Sequence, residues 1–143
     1  MRIEKVEESQ IGQIVEMEKK CFKQPWNIEQ CLYELKENPF STIYWIKEEE
    51  AVGYAFLWVT FEIAQLARIG IDPAFRKKGY GKKLLQELMR IAKEQGCEFM
   101  SLEVRESNLA AIKLYESLGF VQVNVSKNYY PDGENAIVFS GAL

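Results

Sequence analysis

The chain of 143 residues contains no histidine. That absence removes the most frequent general base, the usual activator of a cysteine nucleophile and the commonest zinc ligand together. Cysteine is scarce as well: Cys21, Cys31 and Cys97 are odd in number and widely spaced. This excludes a disulfide framework and a structural zinc site. The three thiols read as small buried hydrophobes, and no metal is expected. No stretch approaches the length of a membrane span. The opening Met1-Arg2-Ile3-Glu4-Lys5-Val6 lacks the unbroken apolar run of a signal peptide. The expectation is a cytoplasmic chain without membrane association. A net charge of -3 lacks the basic surface of a general nucleic-acid binder and permits a basic peptide or protein as partner.

What is present is an ordinary globular composition, 48% hydrophobic and 27% charged, in a length that suits one domain over residues 1–143. Arg2 to Val6 reads as a strand. Ser9 is a candidate cap for a helix whose inward residues would be Ile11, Ile14, Val15 and Met17. Asn27 and Gln30 have capping-box spacing for a second helix, with Leu32, Tyr33 and Leu35 as apolar contacts and Pro39 as its stop. Ser41 to Ile46 and Ala51 to Val59 are rich in aromatic and β-branched residues. They flank the acidic turn Glu48-Glu49-Glu50, and Ile63 to Ile71 follows as another strand. From there the pattern alternates strand, helix, strand, helix, strand, which predicts an α/β fold around a mixed sheet.

The junction at residues 69–81 is the first candidate for chemistry. Ile69-Gly70-Ile71-Asp72-Pro73 ends a strand, and Arg76-Lys77-Lys78-Gly79-Tyr80-Gly81-Lys82 leads into a helix with Leu84, Leu85, Leu88, Ile91 and Ala92 on its buried face. Gly96 lies just past its expected end. A glycine-bearing turn at a helix N-terminus offers unpaired N–H groups and the positive end of the helix dipole, which suit an anion such as pyrophosphate. The alternative is a solvated basic helix start with glycines for packing. The segment matches neither the P-loop nor the Gly-x-Gly-x-x-Gly nucleotide motif.

A second candidate is Phe99 to Arg105, where alternation places Met100, Leu102 and Val104 on one face and Ser101, Glu103 and Arg105 on the other. A carboxylate near the C-terminal end of a strand suits a ligand crevice. The competing reading is a salt bridge of Glu103 with Arg105 or Arg68. Asn108 can cap the next helix. Tyr115 lies about two turns on, either addressing the same side or packing as core beside Ile112 and Leu118.

Arg76-Lys77-Lys78-Gly79-Tyr80-Gly81 resembles the pyrophosphate loop of GNAT acetyltransferases, and the block from Leu102 through Asn108 and Tyr115 to Phe120 resembles the RimI family. Phe22-Lys23-Gln24-Pro25-Trp26-Asn27 is similar to an early segment of that family, and Asn128-Tyr129-Tyr130 with Asn135-Ala136 to its closing signature. The resemblance spans nearly the whole chain. It implies the GNAT fold, a central twisted mixed sheet flanked by helices, with acetyl-CoA as co-substrate. The implied acceptor is the N-terminal amine of a protein, in the RimI family the N-terminal alanine of a small-subunit ribosomal protein.

By the same resemblance Glu103 accepts the proton of the incoming ammonium and Tyr115 protonates the departing thiolate. The backbone of Ile69, Gly70 and Ile71 binds the pantetheine and thioester, residues Arg76 to Lys82 hold the pyrophosphate, and Asn108 touches the cofactor. Trp26, Tyr33, Tyr129 and Tyr130 are candidate walls of the acceptor groove, or else ordinary aromatic packing. Residues 61–68 lack the acidic residue that many relatives carry there, with Glu62 a substitute only after a shift. Arg68 stands where relatives often have a neutral polar residue, favouring an acidic acceptor residue or pairing with a carboxylate. At pH 7 deprotonation costs about 1 kcal/mol for an α-amine and about 4.6 kcal/mol for a lysine side chain, so a single carboxylate base favours the former. Three functions stay open: protein N-terminal acetylation, acetylation of lysine or a small amine, and a non-catalytic acetyl-CoA sensor.

Overall fold

The structure is a computed structural model that describes residues 1–143. Seven strands form one mixed sheet, β1 (Arg2–Lys5), β2 (Ser41–Lys47), β3 (Ala51–Thr60), β4 (Ile63–Ile71), β5 (Phe99–Arg105), β6 (Val121–Ser126) and β7 (Ala136–Ala142), in the order β1-β2-β3-β4-β5-β7-β6. Four helices flank it: α1 (Ile11–Cys21), α2 (Ile28–Lys36), α3 (Tyr80–Glu94) and α4 (Leu109–Ser117). No helix is long and apolar enough to cross a membrane.

The chain folds into two compact units, one of residues 1–58 and 67–88, the other of residues 59–66 and 89–143. In the first, β1 and β3 pair antiparallel with β2. α1 and α2 pack on a core of Val6, Ile11, Ile14, Met17, Cys31, Ile43, Trp45, Tyr54 and Phe56. Here Asn27 makes the expected capping box, its side chain accepting from the Gln30 amide at 2.8 Å while Gln30 accepts from the Asn27 amide at 2.9 Å. The cap before α1 differs from expectation. Ser9 lies inside a 3-10 turn, and the reciprocal box joins Glu7 and Gln10 instead. α2 stops at Lys36, three positions ahead of Pro39, and it buries Cys31 and Glu34 while Tyr33 is 56% exposed. The glutamate displaces the tyrosine from the inner face because two donors satisfy it, Trp58 Nε1 at 2.6 Å and Asn38 Nδ2 at 3.0 Å.

In the second unit, β5 is flanked by the start of β4, parallel over Ile63↔Phe99 to Leu66↔Leu102, and by β7, antiparallel along its full length. β6 pairs antiparallel with the other side of β7. The alternation read for β5 holds: Met100, Leu102 and Val104 are buried, and Ser101, Glu103 and Arg105 are half-exposed on the opposite face. Gly96 follows α3 with φ 92°, a left-handed value that glycine adopts without a Cβ penalty. Leu84, Leu85, Leu88 and Ala92 form the buried stripe of α3 as expected, with Ile91 only half-buried.

Candidate functional site

In the first unit the β4 terminus and the start of α3 are tied together by backbone and side chain. Lys77 and Gly79 both take left-handed φ values, 64° and 87°. Lys83 N–H donates to the Gly79 carbonyl at 3.1 Å, closing the first full turn of α3. The amides of Tyr80, Gly81 and Lys82 therefore precede the helical ladder and point out of its N-terminus. A Cβ on Gly79 would meet nothing within 4 Å, so its surface is open to a ligand group. Residues Arg76 to Gly79 are exposed, with the Lys78 ammonium 5.5 Å over the Phe75 ring. This donor set fits a pyrophosphate.

Arg76 has a further task. Its Nε donates to the Ile71 carbonyl at 2.9 Å, and Cys21 Sγ donates to the same oxygen at 3.4 Å. Both lone pairs of that carbonyl are thereby engaged. Cys21 is half-buried and holds this hydrogen bond, so the reading of three buried thiols stands for Cys31 and Cys97 and is corrected for Cys21. Burial pushes the Cys21 thiol up and Cys31 up to about 11, which keeps both protonated and unreactive at neutral pH. Gly70 is needed for a different reason from Gly79: a Cβ there would lie 2.8 Å from the Tyr54 ring.

That Tyr54 ring belongs to a buried polar cluster absent from the sequence reading. Glu18 is fully buried on α1. It accepts the Tyr54 hydroxyl, the Trp26 amide at 2.8 Å, and Arg68 Nε at 2.9 and 3.1 Å. Arg68 also donates from its second terminal nitrogen to the Gln24 carbonyl at 2.9 Å and lies 4.0 Å over the Phe22 ring and 4.7 Å over Trp26. Arg68 thus pairs with a neighbouring carboxylate, and its charge is committed to Glu18 rather than offered to an acidic acceptor. Trp26 is half-buried, edge-on to Phe56 with centroids 5.0 Å apart. Tyr33 stands exposed on α2 and joins none of these contacts.

In the second unit Glu103 is engaged by neither arginine proposed as its partner. The Tyr129 hydroxyl bonds to it, and that carboxylate, followed by burial, pushes the Tyr129 phenol up to about 12. Arg105, on the same face two residues along β5, turns to Asp132 and Glu134 instead, at 2.9 Å to each. Its guanidinium lies 4.1 Å over the ring of Tyr130, which packs edge-on to Tyr129. Tyr115 is buried on α4 between Phe120 and Phe139, with both ring centroids 6.1 Å away. Burial pushes its phenol up to about 12, and Tyr130 adds to the shift. Asn108 caps α4, its Oδ1 accepting from the Ala111 amide at 3.2 Å. The unit therefore brings Glu103, Tyr129 and Tyr130 together, with Tyr115 within electrostatic reach of Tyr130. Composition offered no signal for Asp132 and Glu134. Their even-numbered spacing along a loop acquires meaning only once Arg105 is seen to face them.

The acetyltransferase (GNAT) family profile matches residues 11–120. A curated [ribosomal protein bS18]-alanine N-acetyltransferase of Haemophilus ducreyi is similar at 33% identity over 142 residues, covering 96% of this chain and 97% of its own. The crystal structure of the ribosomal-protein-S18-alanine N-acetyltransferase from Escherichia coli superposes with a TM-score of 0.90 at 30% identity, over 99% of this chain and 92% of that one. A chain of the NatC complex bound to Gag peptide and CoA shares the fold, with a TM-score of 0.84 at 20% identity over 100% and 99% of the two chains.

Proposed function

The chain belongs to the GNAT family of N-acetyltransferases, among its ribosomal-protein-alanine N-acetyltransferase members, and from that premise we propose that it acetylates the N-terminal α-amine of a protein, with an alanine-starting ribosomal protein as the acceptor. The observation that carries the reading is Glu103 itself: a half-exposed strand carboxylate bonded by the exposed Tyr129, in the unit that also holds the buried, protonated Tyr115.

Acetyl-CoA, when bound, supplies the acetyl group as a thioester. In the first unit the unpaired amides of Tyr80, Gly81 and Lys82 hold its pyrophosphate, with Lys77, Lys78 and Arg76 adding positive charge. Gly79 keeps the approach open. The Ile71 carbonyl is spoken for by Arg76 and Cys21, so the pantetheine and thioester are left to the backbone of Ile69 and Gly70 and to the Ile71 amide.

In the second unit Glu103 takes the proton of the arriving ammonium, and the free amine attacks the thioester carbon directly. Carbon–nitrogen bond formation and loss of the thiolate leave one proton to be shed by nitrogen and one to be gained by sulfur; Tyr115 supplies sulfur, and the proton shed by nitrogen restores its phenol. A phenol held up near 12 is a weaker acid than an ordinary thiol of about 8.5. Tyr115 therefore acts first as a hydrogen-bond donor whose contribution grows as charge gathers on sulfur. Asn108, at the start of α4, contacts the cofactor. Tyr129 and Tyr130 line the path of the acceptor peptide in this unit. We place the reaction in the cytoplasm, where ribosomal proteins are made.

The test is mass spectrometry of acetyl transfer to peptides that vary at their first residues, beside an internal lysine, spermidine and an amino sugar. One added acetyl on an α-amine, fastest for alanine, is the expected result. Transfer confined to lysine or small amines, or binding of acetyl-CoA without transfer to anything, overturns the assignment.

A further inference from the structure

The loop between β6 and β7, residues 127–135, carries Tyr129 and Tyr130 and is held in place from one side by a single strand residue. Arg105 Nη1 donates to Asp132 at 2.9 and 3.1 Å and to Glu134 at 2.9 Å, and the guanidinium covers the Tyr130 ring. The other Glu134 oxygen accepts the Ser107 amide at 2.8 Å, and the Glu106 amide donates to the Asn135 carbonyl at 3.2 Å. Inside the loop, Tyr130 N–H reaches the Glu134 carbonyl at 3.1 Å and Gly133 N–H the Tyr130 carbonyl at 2.8 Å. Asn128 takes φ 53°, a left-handed value that fixes the turn into Tyr129. Glu103 and Arg105 are one side-chain repeat apart, about 6.6 Å along β5. One strand face thus presents the carboxylate and, next to it, the cation that anchors the loop bonded to that carboxylate.

We propose that Arg105 is a positioning residue for the acceptor: by gripping Asp132 and Glu134 and covering Tyr130, it holds the 127–135 loop so that the Tyr129 hydroxyl meets Glu103. The proposal rests on the reading of Tyr129 and Tyr130 as acceptor-lining residues. Arginine suits this task through its planar fork and its stacking face, neither of which lysine offers. An unanchored loop would have to be ordered by each arriving peptide, which lowers apparent acceptor affinity by the fraction of time the loop is in place. Acetyl-CoA binding, assigned to other segments, is unaffected by this.

The experiment compares wild type with Arg105→Gln in steady-state transfer to an alanine-starting peptide and in amide hydrogen exchange at Ser107 and Tyr130. Arg105→Gln should raise the peptide KM about tenfold and leave the acetyl-CoA KM within about twofold. It should speed exchange of the Ser107 and Tyr130 amides at least about tenfold. Glu134→Gln, which removes a charge and keeps an oxygen for Ser107, should move the same quantities less, and it stands in if Arg105→Gln folds poorly. Arg105→Lys should recover only part of the loss. Unchanged exchange overturns the proposal, as does fast exchange with a wild-type peptide KM. A lowered melting temperature with both KM values at wild-type level shows a merely structural arginine and also overturns it. Exchange is read without any acceptor, so a wild-type chain that acetylates no α-amine sinks the proposed function while still deciding whether Arg105 holds the loop.

Discussion

Glu103 and Tyr115 show how little a residue type says without its surroundings. Both were readable as ordinary: a strand glutamate in a surface ion pair and a helix tyrosine in the core. The ion pair is absent because Arg105 and Arg68 are committed elsewhere, to Asp132 with Glu134 and to Glu18. The core reading of Tyr115 holds, since the ring is buried against Phe120 and Phe139, and that same burial pushes the phenol up. Glu103→Gln and Tyr115→Phe should each lower kcat more than about tenfold, the usual cost of a lost proton-transfer group, with acetyl-CoA affinity within about twofold by calorimetry. Wild-type turnover in both variants would remove them from the mechanism. Glu18 is the opposite case, a charge with no room for catalysis. Arg68→Met leaves that buried carboxylate without its cation and should cost about 3 kcal/mol in urea unfolding; a change under about 1 kcal/mol would mean that Tyr54 and the Trp26 amide suffice.

At the scale of elements, most boundaries were legible because they depend on neighbours in sequence. The Asn27–Gln30 box, the turn at Glu48 to Glu50, the span of β4 and the glycine after α3 all appear where local chemistry put them. The failures differ in cause. Ser9 lost the cap to Glu7 through a local reciprocal box with Gln10, whereas Tyr33 lost the inner face of α2 to Glu34 because a donor far along the chain, Trp58, made the burial of a carboxylate favourable. The loop before α3 yields a test of its own. Gly79 has φ 87° and empty space around it, so a side chain there fits by volume and fails by dihedral. Gly79→Val should cost about 1 kcal/mol of stability or slightly more. If the unpaired amides of α3 hold the pyrophosphate, it should also weaken acetyl-CoA binding about tenfold or more by displacing them. Unchanged affinity would place the pyrophosphate elsewhere.

For the whole molecule, titration sets the pH range of stability. Cys31, Tyr54 and Tyr115 have folded pKa values raised by burial, Cys31 to about 11 and Tyr115 to about 12. The unfolded chain ionises these groups near 8.5 for cysteine and about 10 for tyrosine. Their contribution is therefore complete below about pH 8.5 and declines as pH rises through the interval up to the folded values. At the acid end, the Ala74 amide and then Lys20 hold Asp72 below its usual range, and Ser107 and then Arg105 do the same for Glu134. Stability from these two is present above about pH 4 and lost as pH falls below it. Urea midpoints measured from about pH 2 to 11 should form a plateau through neutrality with both ends falling. Tyr115→Phe should flatten the alkaline limb, and an unchanged limb would locate the proton uptake in other groups.

The sequence by itself determined what is local or periodic: the order of helices and strands, the inward face of β5, the caps at Asn27 and Asn108, and the glycine turn ahead of α3. Each follows from backbone sterics, side-chain period or a hydrogen bond spanning a few residues. Together with the motif from Leu102 to Phe120 they were enough to point to the family. Only the tertiary structure decided which charges meet. Glu18 and Arg68 are 50 positions apart, Trp58 and Glu34 are 24, and Arg105 and Asp132 are 27. A carboxylate's partner is set by Coulomb attraction over a few ångströms and by the cost of leaving a buried charge unpaired. Both act through distance in space, which the order of residues along the chain does not specify.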